Sequence, residues 1–352
     1  SHAHPTSQAL LISDPDAETG GAAMDVRVGS WADPTGYPGL AHAVEHCLFL
    51  GTLAYPDEAE YDAYLASHGG QSNAYTDGED TNYFFSVASE GLDGALSRFA
   101  QFFIAPIFNA SSTARELRAV DAEHRKNLQS DNWRTFQLLK HVSSPSTPFN
   151  AFATGNLDTL NRTGVRAAML AFHAAHYYAS RMRLVVVGEQ PIETLATWVA
   201  SKFAAVPPVP RALRFAADGT LERDAGSDGG FLRRSELDAT WALYQSVPPA
   251  ELRDAVVAVN RTGEIAVHSE QTMSPAAVFP PTTSRGLRLL AAPVADVHKV
   301  TVYFPLPPVS SPSASRVGAP HFLAAVIGDE GAGSVLSYLK ACLLYTSDAA
   351  DE

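Results

Sequence analysis

Cysteine, methionine and positive charge are all scarce in this chain. Cys47 and Cys342 are the only cysteines in 352 residues, which excludes a disulfide framework and a cysteine-built zinc site. That usage fits a reducing, cytoplasmic setting. Lys and Arg number 25 against 38 Asp and Glu, a formal charge of −13. So acidic a surface argues against nucleic acid and anionic membranes as main partners. No apolar run approaches the ~18 residues of a membrane span. The longest, such as Leu184–Gly188, have the length of buried strands. Asn-x-Ser/Thr triplets at Asn109, Asn161 and Asn260 are of a kind that chance produces often.

What is present is a hydrophobic fraction of 46%, enough for one large or two ordinary domains. Apolar alternation predicts strands over Ala9–Ser13 and Ala22–Ser30, joined by an Asp/Pro/Gly-rich turn. A helix is expected from about Leu40 to Leu50, closed by Gly51. A second follows over Asp57–His68, then a strand pair, Ser72–Tyr75 and Asn82–Ala88. Helical spacing recurs over Leu92–Phe103, Thr113–Gln129, Val165–Tyr178 and Pro191–Phe203, with a buried strand over Arg183–Val187. Pro207, Pro208 and Pro210 mark a boundary. Residues 211–280 show weak periodicity and read as an insertion or linker. Strands are expected again over Leu287–Ala292 and Lys299–Phe304, and helices over Pro320–Ile327 and Ser334–Lys340.

The stretch GLAHAVEHCLFLG (residues 39–51) carries the chemistry. On a helix, His42 and His46 stand one above the other on one face, so both imidazoles can reach one metal ion. Glu45 shares that face and can serve as a base without being a ligand. The pattern H-x-x-E-H is the inverzincin signature. A catalytic zinc takes three protein ligands and keeps a fourth position open. Candidates for the third lie in Thr113–Gln129, where Glu116 and Glu123 are two turns apart on one face. Asp121 points elsewhere, and Leu117, Val120 and Leu128 fall nearer the core. One of the two glutamates can bind while the other supports.

The surroundings resemble the insulin-degrading branch of the pitrilysin (inverzincin) metallopeptidase family. The likeness rests on residues 38–87, on LSRFAQFFIAPIF (96–108), AVDAEHRKNLQSDNWR (119–134) and TGNLDTL (154–160), and resumes near Arg285. It implies an α+β fold of pitrilysin-type domains, each a mixed, mostly antiparallel sheet covered by helices, with one complete domain and part of a second. In the family a fixed interval separates the motif from the third ligand. Here 76 residues intervene between His46 and Glu123. By resemblance His42, His46 and Glu123 bind Zn2+, Glu45 is the general base, and Glu116 orients a metal-binding histidine. Asn73 and Ala74 match an edge strand that pairs with substrate backbone. Phe49, Tyr75, Trp133 and Phe136 match apolar residues near the cleavage pocket. The segment Gly328–Gly333 matches a region near the family's exosite for peptide N-termini.

The implied function is zinc endopeptidase cleavage of peptides and small proteins. The alternative is a non-catalytic family subunit that binds peptides or assists processing. The expected division is 1–206 for the catalytic domain, 207–284 for a linker or insertion, 285–341 for the start of a second domain, and 342–352 for a non-native tail. On this view the chain is an amino-terminal fragment. Its partners are peptide substrates and a missing carboxyl-terminal half, with homodimerisation of the full-length protein. In the family that half supplies an arginine and a tyrosine that contact substrate, and this chain has no candidate for either.

Overall fold

In a computed structural model of the chain, residues 8–211, 213–222, 234–266, 278–280, 287 and 289–294 are described. A five-stranded sheet organises them: β1 (Gln8–Ser13), β2 (Thr19–Val26), β3 (Gln71–Thr76), β4 (Thr81–Ala88) and β5 (Met182–Gly188), in the order β1-β5-β2-β4-β3. Although consecutive in the chain, β1 and β2 are not neighbours. β5 enters between them, parallel to β1 and antiparallel to β2. The remaining pairings are antiparallel, so the sheet is mixed and mostly antiparallel as expected.

Alternation sorts the sheet into two faces. Met24 and Val26 from β2, Tyr83, Phe85 and Val87 from β4, and Met182, Leu184 and Val186 from β5 are all buried. Their neighbours Phe84 and Val185 are exposed on the opposite side. The helices are α1 (Leu40–Leu48), α2 (Glu60–Ser67), α3 (Leu92–Ile104), α4 (Ala110–Asn127), α5 (Asp131–Val142), α6 (Leu157–Leu160), α7 (Val165–His176) and α8 (Ile192–Lys202), of which α1, α2, α3 and α8 pack directly against strands of the sheet. The strongest anchor is α3. Its Leu92, Leu96, Phe99, Phe102 and Phe103 are buried in one aromatic cluster with Tyr61, Tyr83 and Phe85. Each such burial stabilises by about 1.5–3 kcal/mol.

Four expectations need correcting. Leu128 is 49% exposed rather than core, because α4 ends at Asn127 and turns outward there. The stretch 131–142, given no element from sequence, is the helix α5. Its side chains face a cleft instead of the core, so no apolar period marks it. Within 211–280 a short hairpin, β6 (Arg214–Phe215) and β7 (Leu221–Glu222), precedes two helices, α9 (Arg234–Gln245) and α10 (Pro249–Ala266). α10 packs on α7 through Leu252, Ala255 and Val259. The described residues of 287–292 form no strand. The expected elements at 299–304, 320–327 and 334–340, the segment 328–333 and the tail 342–352 lie outside the described residues. No helix among the described residues is long and apolar enough to cross a membrane.

Candidate metal centre

The start of α1 is fixed from two sides. Gly39 has φ +89°, and a Cβ there would lie 2.2 Å from Gly155 Cα. Glycine is required on both counts. This close approach pins the 154–155 loop on the first turn of α1. Asp33 holds the same end: its carboxylate oxygens accept the backbone N–H groups of Gly39 and Ala41, both at 2.7 Å. Burial pushes the Asp33 carboxyl up to about 8, against those two bonds. Gly39→Ala is expected to destabilise the chain by at least about 2 kcal/mol. It should also weaken zinc uptake, because the 154–155 loop must move. Thermal unfolding and a zinc titration check both; an unchanged Tm would refute the packing argument.

Those constraints aim the histidines. The Nδ1–H of His42 donates to the Thr154 carbonyl at 2.7 Å. His46 Nδ1 lies 2.7 Å from Glu116 Oε1 and donates to it. In each neutral imidazole the lone pair is then left on Nε2. The two Nε2 atoms are 3.2 Å apart, and the rings meet edge to face at 88°. Glu123 Oε2 lies 3.5 Å from both. Two ligands of a tetrahedral zinc, each at about 2.0–2.1 Å, stand about 3.3–3.4 Å apart. The triangle of 3.2, 3.5 and 3.5 Å therefore fits one such ion without rearrangement.

Three carboxylates crowd this point, and their partners distinguish them. Glu116 is spent on the Nδ1 of His46. Glu45 comes within 4.8 Å of the histidine nitrogens, but its Oε2 accepts the Thr76 hydroxyl at 2.5 Å. Glu123 alone presents an oxygen to both Nε2 atoms. The hydrogen bond from His46 keeps the Glu123 carboxyl below the usual range. Burial raises Glu45, against the pull of His42 and Thr76. For His46, burial opposes the charged form, but Glu116 and Glu123 outweigh it and lift the group to about 10 in the metal-free chain. The centre thus has one ionised carboxylate facing the imidazoles and one proton-accepting carboxyl beside them.

A cleft of about 770 Å³ opens from this centre, lined by Phe49, Asn73, Ala74, Tyr75, Thr76, Trp133, Phe136 and Lys140 among others. Phe49 is rooted in the aromatic core, 5.1 Å from Phe102 ring to ring. Trp133 and Phe136 on α5 are 41% and 40% exposed and pack edge to face. Asn73 and Ala74 sit on β3, an edge strand paired only with β4 among the described residues. The Ala74 N–H is taken by the Asn73 side-chain oxygen at 2.9 Å. Cys47 is buried, and burial pushes its thiol up to about 12, so it packs as a small apolar group. The His124 ring is half-buried, 5.1 Å from that of Phe152.

Comparison with known proteins bears on the same residues. Residues 8–146 match the family model described as insulinase (peptidase family M16), and 165–346 match the one described as the peptidase M16 inactive domain. The chain belongs to the M16 peptidase family. An A-factor-processing enzyme of Saccharomyces cerevisiae is 35% identical over 95% of this chain and 27% of its own length. Human insulin-degrading enzyme is 48% identical over 56% of this chain and 20% of its own. The Schizosaccharomyces pombe protein named "Putative zinc protease mug138" is 47% identical over 56% of this chain and 21% of its own. The crystal structure of pitrilysin superposes with a TM-score of 0.55 at 35% identity, covering 58% of this chain and 22% of that one. The chain therefore spans about a fifth to a quarter of these M16 relatives.

Sequence reasoning missed three M16 site groups. Thr76 carried a usable signal: Ser72, Ala74 and Thr76 share one face of β3, so the strand that offers Ala74 also sends Thr76 inward. The Thr154 carbonyl carried none, since a backbone acceptor has no side-chain signature, and Asp33 sits in a loop that no periodicity ties to α1.

Proposed function

We propose that this chain carries the catalytic centre of a zinc endopeptidase acting on peptides and small proteins. The observation that carries the reading is the triangle formed by His42 Nε2, His46 Nε2 and Glu123 Oε2. When bound there, zinc would polarise a substrate carbonyl and bring the pKa of a water toward about 7. Glu45 would serve as the base for that water, held in place by the Thr76 hydroxyl on its Oε2. Glu116 and Thr154 hold the two imidazoles in one tautomer. Strand β3 offers its free edge to the substrate backbone, exchanging the Asn73 side-chain oxygen on the Ala74 N–H for a peptide carbonyl. Main-chain pairing of this kind tolerates varied sequences. Phe49, Trp133 and Phe136 would receive an apolar side chain beside the scissile bond.

Residues 1–206 form the catalytic unit in this reading, 207–284 connect it, and 285–341 begin a second unit. A carboxyl-terminal half, homodimerisation and a cytoplasmic location belong to the same proposal. One plant relative, from Arabidopsis thaliana, is named peroxisomal. Nothing in the site favours the non-catalytic alternative, since all four motif groups stand in place.

The test is metal analysis of the purified chain with and without Glu45→Gln. We expect about one zinc per chain, retained in the variant. Peptide turnover should fall far short of a full-length relative's, and any that is present should drop by about 10² or more in the variant. A chain that takes up no zinc, or a variant that still turns over, refutes the assignment.

A further inference from the structure

We propose that Asn127 is a positioning residue for the metal centre, its side-chain amide steadying the Glu123 carboxylate so that Oε2 faces the two imidazoles. The inference rests on the reading of His42, His46 and Glu123 as ligands. Each histidine has a fixed partner behind its ligating nitrogen: the Thr154 carbonyl for His42 and Glu116 for His46, both at 2.7 Å. Among the described residues, no neighbouring element gives Glu123 such backing. It is 40% exposed, on a long, flexible side chain. Without an anchor it would sample many rotamers and offer the imidazoles a mobile oxygen.

Asn127 is placed to supply that anchor. It is the last residue of α4, four positions after Glu123 and so on the same helical face. Its Nδ2 is buried and has no hydrogen-bond partner among the described residues. Buried donors nearly always find an acceptor, so a lone one needs an explanation. The carboxylate one helical turn before it on the same face is Glu123, within reach of an i, i+4 side-chain pair. A carboxylate that gives Oε2 to a metal keeps Oε1 for a donor, and an amide can supply one without adding charge to the centre. An asparagine that merely ended the helix would turn its amide to water.

Zinc affinity of the purified chain, read by competition with a chromophoric chelator, tests this. Asn127→Ala should bind zinc about 10–100-fold more weakly, with the Tm of the metal-free chain little changed. Asn127→Asp, of the same size, sets a second carboxylate against Glu123 and should weaken binding further; it also serves should the alanine variant fail to fold. The cobalt(II) form should show a shifted d–d band in either variant, a change that helix stability alone would not cause. Zinc affinity within twofold of the parent in both variants overturns the proposal while leaving the ligand assignment intact. A parent chain that binds no zinc fails the ligand assignment itself, and Asn127 with it.

Discussion

Replacing Glu123 by Gln is expected to weaken zinc binding by about 10³-fold or more, well beyond the 10–100-fold typical of groups that only support a ligand. Replacing Glu116 should fall within that smaller range, and replacing Glu45 should have almost no effect. The three glutamates are all close to the imidazole pair, so proximity alone does not rank them. Their partners do. Glu116 already accepts from His46 Nδ1 at 2.7 Å, on the far side of the ring from the lone pair. Glu45 gives its Oε2 to the Thr76 hydroxyl. Glu123 is ionised and equidistant from both Nε2 atoms. Gln keeps the size and one acceptor but removes the charge, so the loss measures charge neutralisation of the dication rather than packing. Chelator competition on the three single variants gives the ranking directly. Should Glu45→Gln lose zinc and Glu123→Gln retain it, the two roles are exchanged and the proposed mechanism falls.

The parts of this centre legible in the sequence are those encoded by helical spacing. His42, Glu45 and His46 share a face because they fall at i, i+3 and i+4, and Glu116 and Glu123 because they are two turns apart. No long-range contact has to be known for either inference. Bringing α4 against α1 is different, since it depends on Leu117 and Val120 packing into the same core as Leu40 and Val44. Spacing alone left Glu116 and Glu123 interchangeable; resemblance to the family had to separate them. Helix α5 illustrates the opposite limit. Of its twelve residues only Lys140 is buried, because the helix forms a cleft wall. A functional surface suppresses the amphipathic signal from which helices are read. Helix α10 failed for another reason. Leu252, Ala255 and Val259 do keep a buried stripe, but Val256, Val257 and Ala258 beside them are apolar as well, and Val257 is 43% exposed, so the run blurs the period. The sheet order was not encoded locally at all, because β5 enters between β1 and β2 from more than 150 residues away.

The largest expected effect of pH on stability comes from two groups outside the cleft. His173 and His176 on α7 are buried, and burial, aided by Arg211 and Arg181 respectively, lowers each to about 3. The bonds agree with neutral rings. His173 Nε2–H donates to the Phe102 carbonyl at 3.0 Å, and His176 Nδ1 accepts from Arg181 at 3.0 Å. In the unfolded chain both return to about 6.5. A depressed folded value means that folding excludes a proton, so the contribution of each ring is complete above about 6.5. It is lost as pH falls from there toward about 3. The loss is about 1.4 kcal/mol per pH unit for each group, hence about 2 kcal/mol per histidine at pH 5 relative to pH 7. Other groups titrate over the same interval, Asp33 among them with the opposite sign, so total stability does not isolate the effect. A difference does. Whatever His176→Gln costs at pH 7, its deficit against the parent should shrink by about 2 kcal/mol at pH 5, because the variant has no proton to exclude. Glutamine can still accept from Arg181, which keeps the comparison local. Urea unfolding of the zinc-free chains at the two pH values measures the deficit, and His173→Gln provides an independent repeat. A deficit that stays constant would mean that the ring takes up its proton equally in the folded and unfolded chains, and then its burial as a neutral group in α7 is wrong.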